Sequence, residues 1–194
     1  MCSRYTLIGT KILAERFSVP EPAQRFNAAP GQLLPIITTN HQLHTAVFGV
    51  PRHDGSRQIN TRLESLEGTK YLRGERCAIP ATGFYEWKQE GVRKQPYYFF
   101  FPGSVIVSFA GMYFNDTNAF SIITTDAADP VRQIHSRMPY ILSPSGEVAW
   151  IYGMNPVPIV EKMEMVAVSR RVNDPAAPDE PSLIEPAEQA HSWW

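Results

Sequence analysis

The sequence predicts an α+β fold that is mostly antiparallel, and three observations lead to this prediction. First, 43% of the 194 residues are hydrophobic and 11% are aromatic, which is enough apolar surface to build one core. Second, 17 prolines are spread along the chain and separate short apolar runs, a pattern typical of a sheet-rich fold with many turns. Third, segments with helical signals are few and short. We therefore expect a single domain over residues 1–194.

Short apolar runs bounded by turn residues predict seven strands. Many of these runs are rich in β-branched or aromatic residues, which favour the pleated surface of a sheet. In chain order the predicted strands are Leu33–Thr38, Leu43–Val50, Gly83–Lys88, Pro96–Phe101, Ser104–Tyr113, Phe120–Thr125 and Glu164–Val168.

Capping residues and local pattern predict four helices of one or two turns each. Thr10 and Asn60 are the residues expected to cap the first two of them. The predicted helices are Lys11–Phe17, Thr61–Leu66, Pro130–Ser136 and Gly146–Tyr152.

Residues 174–194 differ in composition from the rest of the chain. From Asp174 to Pro186 the segment is rich in Pro, Ala and acidic residues. A segment of this kind has little apolar surface to bury, so we expect it to run extended over the surface of the domain. It is not expected to be a linker to a further domain.

Charge and cysteine content exclude several classes of protein. The net charge is -1, so any contact with nucleic acid has to come from a local cluster of Arg and Lys. The two cysteines, Cys2 and Cys77, are too few for a disulfide framework or a cysteine-ligated zinc site. No apolar run approaches the ~18 residues of a membrane span, and no segment near the start resembles a signal peptide. We therefore expect an intracellular protein with no membrane contact.

Cys2 has a position that permits unusual chemistry. Its side chain is small enough to allow removal of Met1, which would leave an α-amine and a thiol on adjacent carbons. The reference pKa of this amine is ~7.7–8.0, against ~10.4 for lysine, so roughly a tenth of it is unprotonated at neutral pH and able to attack a carbonyl. The thiolate can then add to the same carbon and close a five-membered thiazolidine ring. Position alone favours the simpler interpretation, that Cys2 is a small second residue without a function.

Six blocks of residues follow one another along the chain and can be compared as a set. The blocks are Met1–Tyr5, Asn27–Pro30, Asn60–Ser65, Arg76–Trp87, Ile134–Pro139 and Val172–Pro175. In this order they resemble the SRAP family, the SOS response-associated peptidase-like proteins that shield abasic sites, over Met1 to about Pro186. The resemblance implies a mainly antiparallel α+β fold with an open barrel core and a DNA-binding cleft, and it implies neither a metal nor an organic cofactor.

The resemblance also implies a reaction and a partner. Cys2 is expected to form a stable thiazolidine crosslink with the ring-opened aldehyde of an abasic site in single-stranded DNA. Single-strand/duplex junctions are included among the expected partners, and the protein is expected to act as a monomer in the cytoplasm or nucleoid during the DNA damage response. The family name records an autoprocessing peptidase activity that would remove Met1, so both lyase-like and hydrolase chemistry are expected.

Three residues within the matching blocks have expected roles in proton transfer and orientation. Glu86 lies between Tyr85 and Trp87, so partial burial should raise its pKa and let it shuttle protons during imine formation. His135 is expected to assist the opening of the sugar and, in reverse, the release of the crosslink. Asn60 is expected to hydrogen-bond the amino-terminal residue, a role that competes with the helix cap suggested above.

Arginines and one aromatic residue are the expected contacts to DNA. Arg4, Arg62 and Arg137 would bind phosphates, because planar guanidinium groups match phosphate oxygens in a forked geometry. Phe48 stands where the family has the tryptophan of a Trp-Gly block, and it could stack on a base with ~1–3 kcal/mol but with less area than an indole. The loop after Phe48 is shorter than the tryptophan-bearing loop of many relatives. Ser3 also departs from the family, which usually has glycine there.

Three alternatives remain open from the residues themselves. An amino-terminal-nucleophile hydrolase would use Cys2 to attack an amide, with its own amine as the base. A papain-like dyad would pair Cys77 with His135. The sequence signature of papain-like proteases is absent around Cys77, however, and Cys77 is expected to be a buried core thiol. A binding module would hold single-stranded DNA by stacking and charge alone. Only the crosslinking hypothesis predicts a protein–DNA adduct that survives denaturation.

Overall fold

The computed structural model describes residues 2–66, 74–103, 106–174 and 176–187. Within these ranges the chain forms fifteen strands and two α-helices. The strands are β1 Tyr5–Leu7, β2 Arg25–Ala28, β3 Leu33–Ile37, β4 Leu43–Phe48, β5 Val50–Pro51, β6 Arg57–Gln58, β7 Asn60–Arg62, β8 Glu75–Ala81, β9 Gly83–Glu90, β10 Arg93–Phe100, β11 Val107–Phe114, β12 Ala119–Asp126, β13 Arg137–Pro139, β14 Ile141–Leu142 and β15 Glu164–Ala167. The helices are α1 Lys11–Phe17 and α2 Pro144–Ile151.

Five strands close a barrel in the order β12, β4, β3, β8 and β11, with β11 pairing back onto β12. These pairs are antiparallel except for β12 with β4, and β7 adds to β12 as a second parallel neighbour. Large apolar rings fill the interior, where Phe48 and Phe120 stack with their centroids 5.3 Å apart. The predicted α+β fold with a barrel core is confirmed, and in this chain the barrel is closed.

A second sheet is entirely antiparallel and has the strand order β15, β10, β9, β1 and β2. It packs on the barrel through aromatic rings. Tyr5 of β1 and Phe84 of β9 both contact Phe109 of β11, at centroid distances of 6.0 and 5.9 Å. This packing places the residues just before β1, including Cys2, between the sheet and the barrel, where Cys2 joins the buried core.

The strand predictions hold for the central segments and miss strands that have little pattern of their own. Ser104 and Val105, the first residues of one predicted strand, lie outside the described residues, and β11 is described from Val107. The sequence did not predict β1, β2 or β8. In β8, Pro80 and the charged first residues break the usual strand signal.

The helix predictions were partly right. α1 spans the predicted residues, but the Thr10 hydroxyl donates to Glu21 at 2.9 Å and does not cap the helix. α2 begins earlier than predicted, because Pro144 occupies the first turn and the Ser143 hydroxyl accepts from the Gly146 N–H. Within Pro130–Ser136, a 3₁₀ turn forms over Val131–Gln133.

The predicted helix over Thr61–Leu66 is wrong. Asn60–Arg62 is strand β7, which pairs with β12, and only Leu63–Ser65 forms a 3₁₀ turn. Pairing with a strand more than fifty residues away overrides the local capping signal. As a result the Asn60 side chain does not cap a helix.

The two helices are tied to the barrel by a buried carboxylate. Glu147 of α2 is 3% exposed and accepts hydrogen bonds from Ser108 of β11 at 2.6 Å and from Arg16 of α1 at 2.5 Å. Charge-assisted bonds of this kind satisfy a group that would otherwise be costly to bury. Among the described residues, no helix has the length and apolar character needed to cross a membrane.

Residues 176–187 run back over the five-stranded sheet. The Asp179 carboxylate accepts from the backbone N–H groups of Phe26 and Asn27 on β2, at 2.6 and 2.8 Å. Farther on, Leu183 is fully buried, and Pro186 forms a β-bridge with Val168. Residues 175 and 188–194 of the predicted surface tail lie outside the described residues.

Candidate functional site

Cys2 is held inside the protein at the entrance to β1. Its side chain is fully buried, and its thiol donates to the carbonyl of Arg4 at 3.6 Å. Burial, and after it the negative charge of Glu86, raises the pKa of the Cys2 thiol far above its usual value. The thiol is therefore protonated in this state of the chain.

Asn60 makes the contact to the amino-terminal residue that the sequence analysis expected. Because β7 runs parallel to β12, with Asn60 opposite Ile122, its side chain faces Cys2 and its amide donates to the Cys2 carbonyl at 3.0 Å. Its carbonyl oxygen is buried and has no hydrogen-bond partner among the residues that the structure describes. A buried acceptor that none of those residues satisfies thus lies beside Cys2.

Glu86 is a buried carboxyl in the middle of β9. It is 1% exposed and lies opposite Tyr97 of β10 in the sheet. Burial raises its pKa to about 7, in agreement with the expectation from its aromatic neighbours. Near neutral pH both the acid and the carboxylate are populated, which suits a group that gives and takes a proton.

His135 is oriented by the backbone two residues later. Its Nδ1 lies 2.9 Å from the backbone nitrogen of Arg137, whose N–H donates to it. A neutral ring that accepts this bond carries its proton on Nε2, whereas donation from Nδ1 to the Arg137 carbonyl, 3.1 Å away, would place the proton on Nδ1. Burial lowers the pKa of His135, so the neutral form prevails at neutral pH.

Two of these groups meet in a cavity of about 370 Å³. Glu86 and His135 both line it, and Cys2 adjoins it through Ser3, its neighbour in the chain. Within the described ranges, no cluster of His, Cys, Asp and Glu side chains is arranged to hold a metal ion. The lining residues are Ser3, Arg4, Glu86, Trp87, Lys94, His135 and Asn173.

Two of the predicted DNA contacts are placed where DNA could reach them. Arg4 lines the cavity and donates to the side-chain oxygen of Asn27 at 3.1 Å. Arg62 is exposed at the end of β7, two residues beyond Asn60. Arg4 therefore belongs to the cavity, and the Arg62 side chain is open to solvent at the end of the strand that carries Asn60.

The prediction that Phe48 stacks on a base is wrong for this structure. Its side chain is fully buried, opposite Phe120 in the barrel, and its edge packs against Tyr5 at 5.8 Å. The alternation of β4 turns Phe48 inward, and Gly49 follows with a φ of 98° that bends the chain away. This ring stabilises the core and is not available to DNA.

The prediction that Arg137 binds phosphate also needs correction. Its side chain is only 11% exposed, and its two terminal nitrogens donate to Glu64, Asp126 and the carbonyl of Thr124. Each terminal nitrogen already makes two hydrogen bonds. In this structure the fork that would bind a phosphate is therefore filled by groups of the protein.

Trp87, Asn173 and Lys94 line the cavity, although none of them was predicted as a site residue. The Trp87 indole N–H donates to the Asn173 side chain at 2.5 Å, so two of the six sequence blocks meet at this wall. Their membership of those blocks was the available signal. Lys94 belongs to none of the blocks, and it is brought here by the pairing of β10 with β9.

Comparisons with known proteins show which sequences and which fold the chain is similar to. Residues 1–175 match the family model described as SOS response associated peptidase (SRAP). The chain is 32% identical to the abasic site processing protein YoqW of Bacillus subtilis, over 95% of this chain and 99% of that protein. It is 27% identical to the abasic site processing protein YedK of Escherichia coli, over 78% and 79% of the two chains. A crystal structure of a protein from Bacteroides thetaiotaomicron shares the fold, with a TM-score of 0.76 and 22% identity over 96% of this chain and all of that one.

Proposed function

The chain belongs to the SOS response associated peptidase (SRAP) family, and from this premise we propose that it captures abasic sites in single-stranded DNA through Cys2. One observation carries the proposal. Asn60 donates a hydrogen bond to the Cys2 carbonyl, and the charge of Glu86 raises the pKa of the Cys2 thiol. Glu86 and His135 line the cavity next to this residue. The names of the relatives, abasic site processing proteins, indicate the class of substrate.

The first requirement is the removal of Met1. While Met1 is attached, the Cys2 nitrogen is an amide and cannot attack a carbonyl. After removal it becomes an α-amine, and the buried Asn60 oxygen beside it is an acceptor for one of its N–H groups. Such a bond would orient the nitrogen lone pair toward the cavity.

The reaction then joins the Cys2 amine and thiol to one aldehyde with loss of one water. The amine adds to the carbonyl carbon of the ring-opened sugar, and Glu86 in its acid form protonates the hydroxyl that leaves as water. The Cys2 sulfur adds to the carbon of the resulting imine, and the thiol proton is transferred to the nitrogen. A pKa of about 7 lets Glu86 donate one proton and recover another within the same cycle.

His135 is suited to act on the sugar before the amine does. The aldehyde is exposed only when the sugar ring opens, which requires proton transfer at the ring oxygen and the anomeric hydroxyl. When His135 Nδ1 accepts from the Arg137 N–H, the Nε2–H group can donate a hydrogen bond to the ring oxygen of the sugar. The same contact would serve ring closure when the crosslink is released.

The decisive experiment is incubation with an oligonucleotide that carries one abasic site. We expect an adduct that survives denaturing electrophoresis, with the intact mass of the Met1-processed protein plus the DNA less one water. Cys2→Ala should abolish it, whereas Cys77→Ala should retain it, because Cys77 is buried in β8.

The alternatives give different results in the same experiment. Loss of the adduct in Cys77→Ala and its retention in Cys2→Ala would refute the proposal. An amino-terminal-nucleophile hydrolase would cleave peptide or amide substrates without forming an adduct. A binding module would release the DNA in denaturant or high salt.

A further inference from the structure

Arg137 connects three segments of the chain around the site. Its guanidinium is held in a two-point ion pair by the Glu64 carboxylate, at 2.9 and 3.0 Å. It also donates to Asp126 at 2.7 Å and to the carbonyl of Thr124 at 2.6 Å. A forked pair on a guanidinium that is itself mostly buried fixes the relative position of its partners more rigidly than a single-point contact.

The ion pair spans the end of β12. Thr124 of β12 lies opposite Arg62 of β7 on one side and Pro139 of β13 on the other. Asn60 begins β7 and Glu64 lies four residues later, while His135 lies two residues before Arg137. The contact between Glu64 and Arg137 therefore joins the segment that carries Asn60 to the segment that carries His135.

The backbone of Arg137 transmits this connection to the histidine ring. Its N–H donates to His135 Nδ1, and its carbonyl lies 3.1 Å from the same nitrogen. A displacement of Arg137 would thus change the direction in which Nε2 points. We propose that Glu64 is a positioning residue that, by holding Arg137, keeps His135 aligned with Asn60 and Cys2, an inference that rests on the proposed function.

A second role for Glu64 would be to occupy the Arg137 fork until a DNA phosphate replaces it. The geometry favours positioning. A phosphate would have to displace both oxygens of Glu64 from a guanidinium that is 11% exposed, while Asp126 and the Thr124 carbonyl keep two of its four terminal N–H groups. The hydrogen bond from Arg137 also lowers the pKa of Glu64, so its carboxylate stays charged near neutrality.

The kinetic test compares Glu64→Ala and Glu64→Gln with the native chain, all in the Met1-processed form. At saturating protein, crosslinking to abasic single-stranded DNA should slow in Glu64→Ala by up to ~10²-fold, the loss expected when a reacting group is misplaced by about 1 Å. Glu64→Gln keeps one acceptor and should be intermediate. The affinity for intact single-stranded DNA should change by less than about twofold in both.

A matched control removes one negative charge elsewhere. Glu15→Gln breaks an exposed pair with Lys11 on α1 and should crosslink at the native rate. Circular dichroism and thermal unfolding would verify that each variant is folded. If Glu64→Gln or Glu64→Ala binds intact DNA more tightly and crosslinks at the native rate at saturation, Glu64 is a phosphate competitor and the positioning proposal is wrong.

A readout on His135 does not depend on crosslinking. Long-range ¹H–¹⁵N NMR should show the Nε2–H tautomer in the native protein and in Glu15→Gln, and a mixture of tautomers in Glu64→Ala. Unchanged His135 nitrogen shifts in Glu64→Ala would overturn the positioning role. If the native protein forms no adduct, the proposed function fails, while the NMR comparison still decides whether Glu64 positions His135.

Discussion

Glu86 and Cys2 are two buried acids whose ionisation is linked. Burial alone raises the pKa of each, and the charge of Glu86 raises the pKa of the Cys2 thiol further. Ionisation of one group therefore opposes ionisation of the other. Near neutral pH the thiol keeps its proton, and Glu86, with a pKa of about 7, is partly in the acid form that a dehydration step at the aldehyde needs.

Glu86→Gln tests that proton directly. The amide keeps the size and hydrogen-bonding reach of the side chain but cannot exchange a proton, so adduct formation should slow by roughly 10²–10⁴-fold. DNA affinity should stay near the native value. The matched control is Glu90→Gln, which changes an exposed glutamate at the other end of β9. Time-resolved denaturing gels at saturating protein measure both rates, and equal rates would make Glu86 a structural carboxyl.

The same substitution should change stability in a pH-dependent way. Because the pKa of Glu86 is raised to about 7 in the folded chain, the folded state binds this proton more tightly than the unfolded state. Native stability should therefore fall as the pH rises from about 4.3 to 7. Glu86→Gln removes the free-energy cost of burying an ionised carboxylate. The variant should therefore be more stable than the native protein at pH 8, by up to about 3 kcal/mol, and similar in stability at pH 4. Urea unfolding at both pH values measures the free energy of unfolding of the two proteins. An equal difference between them at pH 4 and pH 8 would contradict the prediction.

At the residue scale, candidate site residues could be predicted from the sequence better than their contacts. Cys2, Asn60, Glu86 and His135 could be named because each stands in a recognisable block. The partner of Arg137 could not, because Glu64 is separated from it by 73 residues and only the folded chain brings them together. The burial of Phe48 likewise depends on its pairing with β12.

A polar contact at the buried carboxylate of Glu147 joins the two helices to the barrel. It connects α1, α2 and β11, none of which contributes a residue to the cavity. This contact therefore supports the barrel and should affect stability before it affects chemistry.

Glu147→Gln should lower the free energy of unfolding by about 1–3 kcal/mol. Breaking a fully buried pair costs about 3–5 kcal/mol, but Arg16 is 45% exposed and can recover some hydration. Urea denaturation measures the loss, with Glu15→Gln as the control for removing a negative charge from exposed positions. A loss below about 0.5 kcal/mol, the range of an ordinary surface substitution, would show that the contact contributes little.

Element prediction succeeded where local signals agreed and failed where distant pairing decided. α1 has its helical pattern within seven residues, so its bounds were predicted correctly. β7 has three residues, and its conformation depends on Ile122–Thr124 of β12. A local rule read Asn60 as a helix cap, whereas tertiary pairing makes it part of a strand.

Over the whole molecule, the net charge of -1 supplies no overall attraction for DNA, so the DNA binding that we propose depends on individual cations. Arg4 and Lys94 line the cavity, and Arg62 is exposed at the end of β7. Arg137 is excluded from this group because its charge is neutralised by Glu64 and Asp126. Arg62 and Arg137 were both predicted to bind phosphate, but we expect their substitution to affect DNA binding differently.

Arg62→Ala should weaken binding to single-stranded DNA and reduce the slope of log K against log salt by about 0.7, the value expected for a single phosphate of a single strand. Arg137→Ala should leave that slope unchanged and slow crosslinking instead. Fluorescence anisotropy over a range of salt concentrations measures the slopes. Equal slope changes in the two variants would show that Arg137 exchanges its carboxylate partners for phosphate when DNA binds.

Residues 176–187 have a consequence for how the protein meets other copies of itself. The five-stranded sheet ends in β2 on one side and β15 on the other, and a strand at an edge offers unpaired backbone groups to any extended chain. Asp179 takes the N–H groups of Phe26 and Asn27 at one edge, and the Ala187 N–H donates to Ala167 at the other. The barrel, being closed, has no edge in its ring. The segment thereby opposes the addition of a strand from another molecule. A protein must avoid such addition if it is to stay dispersed and bind DNA as we propose.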